Sequence, residues 1–171
     1  MKSLALFVPV LLVLTSGCVT RAARFDEHAF SAECGNTLRC KVTYADRVQI
    51  DETESQPPRS LRDDLFTRSW NGQSGIANFP GPAIVSWRSL DGDTHEAQID
   101  MSSIFRDQII LHADPVEEVH DGRSYGDPVL LLVVNDRTLR VYMRSIVSVL
   151  SRSGSGIVTR HDSVLAYTAT Y

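Results

Sequence analysis

The stretch Ala83-Ile-Val-Ser-Trp-Arg-Ser-Leu-Asp-Gly-Asp-Thr-His-Glu-Ala-Gln-Ile-Asp100 decides the predicted fold of this chain. Its first part, Ala83 to Ser89, is an apolar-rich run of strand length, and Thr94 to Asp100 is a second one. Between them, Asp91-Gly92 supplies the positive φ angle that a tight hairpin turn demands. The stretch therefore predicts a β-hairpin. Trp87 shares strand parity with Ala83 and Val85, which predicts that it packs in the core.

Further strands are predicted on both sides of this hairpin. Apolar residues alternate with polar ones from Leu38 to Tyr44, the pattern of a strand with one wet face. Val129 to Val134 is continuously apolar, which is typical of a central strand covered on both faces. An Asn135-Asp136 turn and the alternating run from Leu139 to Met143 predict a second hairpin, and alternation from Leu165 to Tyr171 predicts a terminal strand.

Helices are predicted to be few and short. Met101, Ile104 and Phe105 have helical spacing, and Asp114-Pro115 could begin another helix. Ser60 with Asp63 could cap a third. We therefore expect a mainly β fold, with α+β left open: an antiparallel β-sandwich, or a sheet with two or three short helices laid across it.

Composition and charge exclude several classes of protein. With 171 residues, 43% of them hydrophobic and 22% charged, the chain is expected to fold as one domain plus an appendage. A net charge of −4 argues against nucleic-acid binding, which needs clustered basic side chains. No sequence feature indicates a cofactor.

The amino terminus carries a leader pattern. Met1-Lys2-Ser3 is followed by an apolar run from Leu4 to Leu14 and then by Thr15-Ser16-Gly17-Cys18. The last four residues resemble the lipobox of bacterial lipoproteins, in which the cysteine sulfur receives a diacylglyceryl group and becomes the first residue after cleavage. The resemblance implies a signal peptide over residues 1–17 and lipidation of Cys18. An ordinary signal peptide or a buried amino-terminal helix are the alternatives.

The same resemblance implies a location for the rest of the chain. Val19 is not the Asp that typically retains such lipoproteins in the inner membrane, so we expect the periplasmic side of the outer membrane, with the inner membrane less favoured. Two or three acyl chains hold a protein on a membrane almost without exchange. Residues 18–33 are expected to be the lipidated terminus and a tether, and residues 34–171 a single globular periplasmic domain.

Cys34 and Cys40 flank a short segment that contains a turn signal. An oxidising compartment would close this segment with a disulfide bond. Free buried thiols are the alternative, and a metal site is disfavoured because the chain has no second cysteine pair and His28 stands apart.

Sequence motifs of serine and metal enzymes are absent. The Gly-x-Ser-x-Gly elbow fails at Ser74, which is followed two places later by Ile76, and at Ser155, which is preceded by Ser153. A triad assembled from distant segments stays open for two pairs, His112 with Asp114 and His161 with Asp162.

Metal motifs fail in a similar way. His95-Glu96 begins like a zinc-protease motif, but Ile99 stands where the second histidine belongs. Asp91 and Asp93 have the spacing of calcium ligands, but the required glutamate is replaced by Ser102. We expect no metal site and no catalytic residues, and we expect His95 to be half-buried on its strand.

Four residues are the candidates for binding a protein partner. Asp91 and Asp93 lie at the predicted hairpin tip, which projects from a sheet and can enter a cleft. Trp70 lies in a polar loop, and Tyr142 shares a strand face with Arg140 and Arg144. Aromatic side chains beside arginine are common anchors of interfaces.

The leader, the short body and the stretches Trp87-Arg-Ser-Leu-Asp-Gly92 and Val133-Val-Asn-Asp-Arg137 together resemble immunity lipoproteins paired with type VI secretion effectors of the phospholipase class. The resemblance implies a membrane-anchored protein that binds a lipase-type toxin in the periplasm and blocks its active-site cleft. A structural or assembly lipoprotein of the cell envelope is the alternative function, and a hydrolase comes third.

Overall fold

The computed structural model describes residues 23–54, 58–62, 64, 72–113, 119–124, 126–151 and 156–171. These residues form a mainly β protein with two sheets in a sandwich-like arrangement. The elements are β1 (Glu27–Gly35), β2 (Thr37–Tyr44), β3 (Arg47–Glu52), β4 (Gln73–Ala77), β5 (Ala83–Ser89), β6 (Thr94–Ile99), α1 (Met101–Ile104), β7 (Val119–Ser124), β8 (Val129–Asn135), β9 (Thr138–Leu150) and β10 (Ile157–Thr170).

The first sheet has the strand order β10-β9-β8-β1-β4, and β7 pairs with β9. Its neighbours are antiparallel except for β1 and β8, which run parallel from Ala29 opposite Val129 to Gly35 opposite Asn135. The second sheet has the order β3-β2-β5-β6 and is antiparallel throughout.

The core lies between the two sheets. Phe30 and Leu132 from the first sheet and Val42, Val85 and Trp87 from the second belong to one cluster of buried apolar side chains. Burial alternates along β5, where Ala83, Val85 and Trp87 point inward, because successive side chains of a strand lie on opposite faces. The core position predicted for Trp87 is confirmed.

β8 is buried on both of its faces. Leu130 and Leu132 belong to the core between the sheets, while Leu131 and Val133 form a second cluster on the outer face with Leu61. The continuous apolar run that predicted a central strand is thereby explained.

Both predicted hairpins are confirmed. β5 and β6 pair from Ala83 opposite Ile99 to Arg88 opposite Thr94, and Gly92 has a φ angle of 92°. β8 and β9 are joined by a turn in which Asp136 has a φ angle of 50°.

The amino-terminal boundary differs from the prediction. β1 begins at Glu27, in the part of residues 18–33 that was expected to be a tether, and it lies between β8 and β4. The alternation of apolar and polar residues along β1 is not evident in the sequence, because the inward-facing residue His28 is polar. The ordered body therefore includes residues well before Cys34.

Helical structure is scarcer than expected. α1 has four residues and is capped by the side chain of Asp100, which accepts a hydrogen bond from the N–H of Ser102 at 2.9 Å. The helix expected after Asp114 lies outside the described residues, and so does most of the one expected after Ser60. Within the described ranges, no helix is both long and apolar enough to cross a membrane.

Candidate functional site

The β5–β6 turn lies at one end of the sandwich and is closed by its own backbone. The N–H of Ser89 donates to the carbonyl of Asp93 at 3.0 Å, and the N–H of Gly92 donates to the carbonyl of Ser89 at 3.0 Å. Residues 89–93 thus form the hairpin tip that the sequence predicted as a binding element.

This hairpin tip is braced by the β8–β9 turn of the other sheet. Arg137 Nη1 lies 2.7 Å from Asp91 Oδ2 and 3.9 Å from Asp93 Oδ2. The N–H of Leu90 donates to Asp136 Oδ1 at 2.9 Å. Because two turns from different sheets hold each other, the tip does not project freely as expected from sequence, and Asp91 serves as a structural partner of Arg137.

A buried serine supports the tip from below. Ser89 is fully buried, and its Oγ lies 2.5 Å from Asp91 Oδ1 and 2.9 Å from His95 Nε2. Bonds from Ser89, from the N–H of Asp93 and from Arg137 lower the pKa of Asp91, so this carboxylate is ionised and can only accept hydrogen bonds. Ser89 therefore donates its hydroxyl hydrogen to Asp91, and the ring of His95 donates to Ser89 Oγ.

This hydrogen-bond direction is the reverse of that in a serine nucleophile, where the imidazole accepts the hydroxyl proton. Of the other two candidate pairs, His161 with Asp162 is separated in the structure. His161 is exposed and Asp162 buried, as expected for neighbours that point to opposite faces of β10. Asp114, the predicted partner of His112, lies outside the described residues.

Aromatic rings attach the hairpin to the core. The ring of His95 stacks on Trp87 with centroids 4.9 Å apart, and the ring of Tyr171 packs perpendicular to that of Trp87 with centroids 5.1 Å apart. Trp87 Nε1 donates to the carbonyl of Asp136 at 2.7 Å. The half-buried position predicted for His95 is confirmed.

The exposed groups of the hairpin tip are the apolar side chain of Leu90 and two carboxylates, of which Asp91 is paired with Arg137 and Asp93 is the more exposed. Leu90 is 49% exposed, and the side chain of Asp93 is 69% exposed. The turn thus presents a hydrophobic group beside a negative charge, on a backbone that contacts from both sheets hold in place.

The other predicted binding residues lie elsewhere. Tyr142 is on the outer face of the first sheet, where it packs against Leu131 and Val133 and is partly buried. Trp70 and Cys18 lie outside the described residues. The structure therefore brings Asp91 and Asp93 together and leaves Tyr142 on a different surface.

A concavity that no sequence pattern indicated lies beside the tip, on the outer face of the second sheet. It encloses about 520 Å³ and is lined mainly by charged and hydroxyl side chains, with Arg39, Arg88, Glu54 and Glu96 among them. Arg88 is engaged, since its Nη1 lies 2.9 Å from Glu54 Oε1 and its Nε donates to the carbonyl of Gly92 at 3.0 Å. Arg88 follows the inward-facing Trp87 along β5 and therefore lies on the opposite face, but no local sequence pattern connects it with Glu54.

Within the described ranges, no group of three or more His, Cys, Asp or Glu side chains could hold a metal ion. In comparisons with known proteins, no family model, no curated sequence and no solved structure matches this chain.

Proposed function

We propose that this chain is a membrane-anchored periplasmic binding protein of the immunity type, which binds a secreted phospholipase-type toxin and neutralises it. The observation that carries the proposal is the braced hairpin tip. Leu90 and Asp93 are exposed there, while Asp91, Ser89 and Arg137 hold the turn that carries them.

A braced tip is suited to entering a cleft. Binding costs free energy for each group that must be ordered, and a turn already fixed by the β8–β9 turn avoids much of that cost. The exposed Leu90 supplies apolar contact area, and the charge of Asp93 favours a cleft whose rim carries basic side chains. The net charge of −4 would also steer a basic toxin toward the protein and speed association.

The test is co-expression of the full chain with a periplasm-directed effector encoded by a neighbouring gene. Leu90→Lys changes an exposed group and leaves both contacts of Arg137 in place. Asp93→Lys keeps the Asp91–Arg137 pair at 2.7 Å but removes the longer contact of Arg137 with Asp93 at 3.9 Å. We expect each to weaken toxin binding by about tenfold or more and to reduce protection of the cell. Asp91→Lys is unsuitable because it would disturb the turn itself.

Asp107→Lys is the matched control. Asp107 is exposed and follows α1, at the end of the sandwich opposite the tip, so it carries the same charge change away from the proposed surface. We expect its protection to equal that of the parent. Full protection and parental binding by Asp93→Lys and Leu90→Lys would contradict the role of the tip. If no neighbouring effector is toxic or bound, a role in envelope assembly replaces the immunity proposal.

A further inference from the structure

The edge of β10 is a second exposed surface. β10 ends the first sheet, and in the part of the chain that the structure describes its ladder partner is β9 alone. Ile157, Val158 and Leu165 are between 47% and 50% exposed along this strand. A strand at the edge of a sheet with exposed apolar residues can pair with a strand of another chain.

The sequence of this edge is complementary to itself. Residues 157–165 read Ile-Val-Thr-Arg-His-Asp-Ser-Val-Leu. If two copies pair antiparallel with His161 opposite His161, then Arg160 of each copy meets Asp162 of the other. The outer positions match as well, in the pairs Ile157 with Leu165, Val158 with Val164 and Thr159 with Ser163.

The faces of the strand agree with this pairing. Residues directly opposite each other in an antiparallel pair lie on the same face, and opposite charges there are favourable. Arg160 Nε already lies 2.8 Å from Asp162 Oδ1 within one chain, so both side chains share a face. Pairing would therefore place two such ion pairs side by side with alternating charge.

The charges along β10 also disfavour the two pairings in which the symmetry axis is moved by one residue. Moving the symmetry axis to Arg160 would oppose two guanidinium groups, and moving it to Asp162 would oppose two carboxylates, both of which are unfavourable. A shift in the β9–β10 register between Leu165 and Tyr167 interrupts the ladder where the self-complementary segment ends. Bulges of this kind terminate pairing at sheet edges.

We propose that two copies of this chain associate through antiparallel pairing of β10 with β10, about a two-fold axis beside His161. The two first sheets then form one continuous sheet. The inference does not depend on the proposed function, because the paired segment lies away from the hairpin tip: Tyr171, beyond the other end of β10, is the residue that contacts Trp87.

The test uses the residue on the axis, which meets its own copy. His161→Lys and His161→Glu each place two like charges opposite each other, and His161 is exposed, so folding tolerates the changes. We expect the full chain in density-matched detergent to form dimers by sedimentation equilibrium. Each variant should raise the dimer dissociation constant by about tenfold or more, and an equimolar mixture of the two should recover dimers.

Thr168→Lys and Thr168→Glu are the matched controls, since Thr168 is exposed on the same strand beyond the register shift. Their dimerisation should equal that of the parent, alone and mixed. A parent that stays monomeric at the highest concentration reached overturns the proposal. So do His161 variants that self-associate like the parent, a mixture that recovers no dimer, or Thr168 variants that dissociate equally.

Discussion

His28 is a fully buried imidazole whose two ring nitrogens both have partners. Nδ1 lies 2.6 Å from Asn78 Oδ1, and Nε2 lies 3.0 Å from the hydroxyl of Tyr44. Asn78 Nδ2 donates to the carbonyl of Phe25, which leaves Oδ1 as the acceptor for a hydrogen on Nδ1. Because burial lowers the pKa of His28, the ring is neutral with its hydrogen on Nδ1, and Tyr44 donates its hydroxyl hydrogen to Nε2.

This network predicts an acid-sensitive fold. Burial lowers the pKa of His28 below its ordinary value of 6.5, although the bond to Asn78 and the charge of Asp127 offset part of the effect. Below pH 6.5 the unfolded chain therefore binds more protons, and the free energy of unfolding falls as pH falls toward the lowered pKa. The slope from this one group cannot exceed about 1.4 kcal/mol per pH unit.

Urea unfolding between pH 7.5 and 5 would measure this dependence. His28→Gln should be less stable at pH 7.5 and should lose most of the slope, whereas His161→Gln at an exposed position should keep it. An unchanged slope in His28→Gln would show that other groups cause the acid sensitivity.

Within the site, the sequence predicted the position of a residue only where strand alternation fixes the face on which the side chain lies. Parity with Ala83 and Val85 placed Trp87 in the core. The bracing of Asp91 came instead from Arg137, 46 residues later in the chain, and no local pattern connects the two. The sequence therefore predicted a freely projecting hairpin tip, whereas the structure shows a tip that contacts a turn of the other sheet.

At the scale of elements, the crossover from β1 to β2 links the two sheets covalently. Cys34 near the end of β1 and Cys40 within β2 are fully buried and form a disulfide bond. The bond predicted from sequence is thus present, and it joins strands of different sheets.

The double variant Cys34→Ala/Cys40→Ala should lower the free energy of unfolding by about 2 kcal/mol, because the unfolded chain gains the entropy of an opened short loop. Urea unfolding of the oxidised parent and the variant measures the difference. Reduced parent, unfolded in the presence of reductant, is the control and should approach the variant. Two alkylatable thiols at these positions in unfolded but unreduced protein would contradict the bond.

Elements made by neighbouring segments were predictable, and those made by distant ones were not. Asp91-Gly92 and Asn135-Asp136 fix their hairpins locally. β1 pairs in parallel with β8, about 100 residues later in the chain, and its inward residues include His28. Sequence patterns alone therefore left the middle of the first sheet without one of its strands.

At the scale of the whole molecule, the amino-terminal segment and the hairpin tip lie at opposite ends of the sandwich. Ala23 accepts a hydrogen bond from the N–H of Ile110 at 2.8 Å, beyond α1, so the chain enters the body at the end opposite the hairpin tip. β1 then runs the length of the sheet to Asn36, whose Nδ2 donates to Asn135 Oδ1 at 2.7 Å beside the tip.

This arrangement gives the proposed anchor a direction. Cys18 precedes Ala23 by five residues, which span at most roughly 18 Å when fully extended. A lipid on Cys18 would therefore hold the entry end close to the membrane, and the tip with Leu90 and Asp93 would face away from it. A toxin approaching the membrane would meet the proposed binding surface first.

The anchor makes the last prediction. Cys18→Ala should lose incorporation of a fatty-acid probe and should appear as unprocessed or released protein, because the thiol that accepts the diacylglyceryl group is gone. Cys34→Ala/Cys40→Ala, which keeps Cys18, is the control and should be labelled like the parent. Since the body is unchanged, toxin binding by Cys18→Ala should persist in solution while protection of the cell falls. Equal labelling of Cys18→Ala and the parent would contradict the lipidation of Cys18. It would also contradict the orientation that places the hairpin tip away from the membrane.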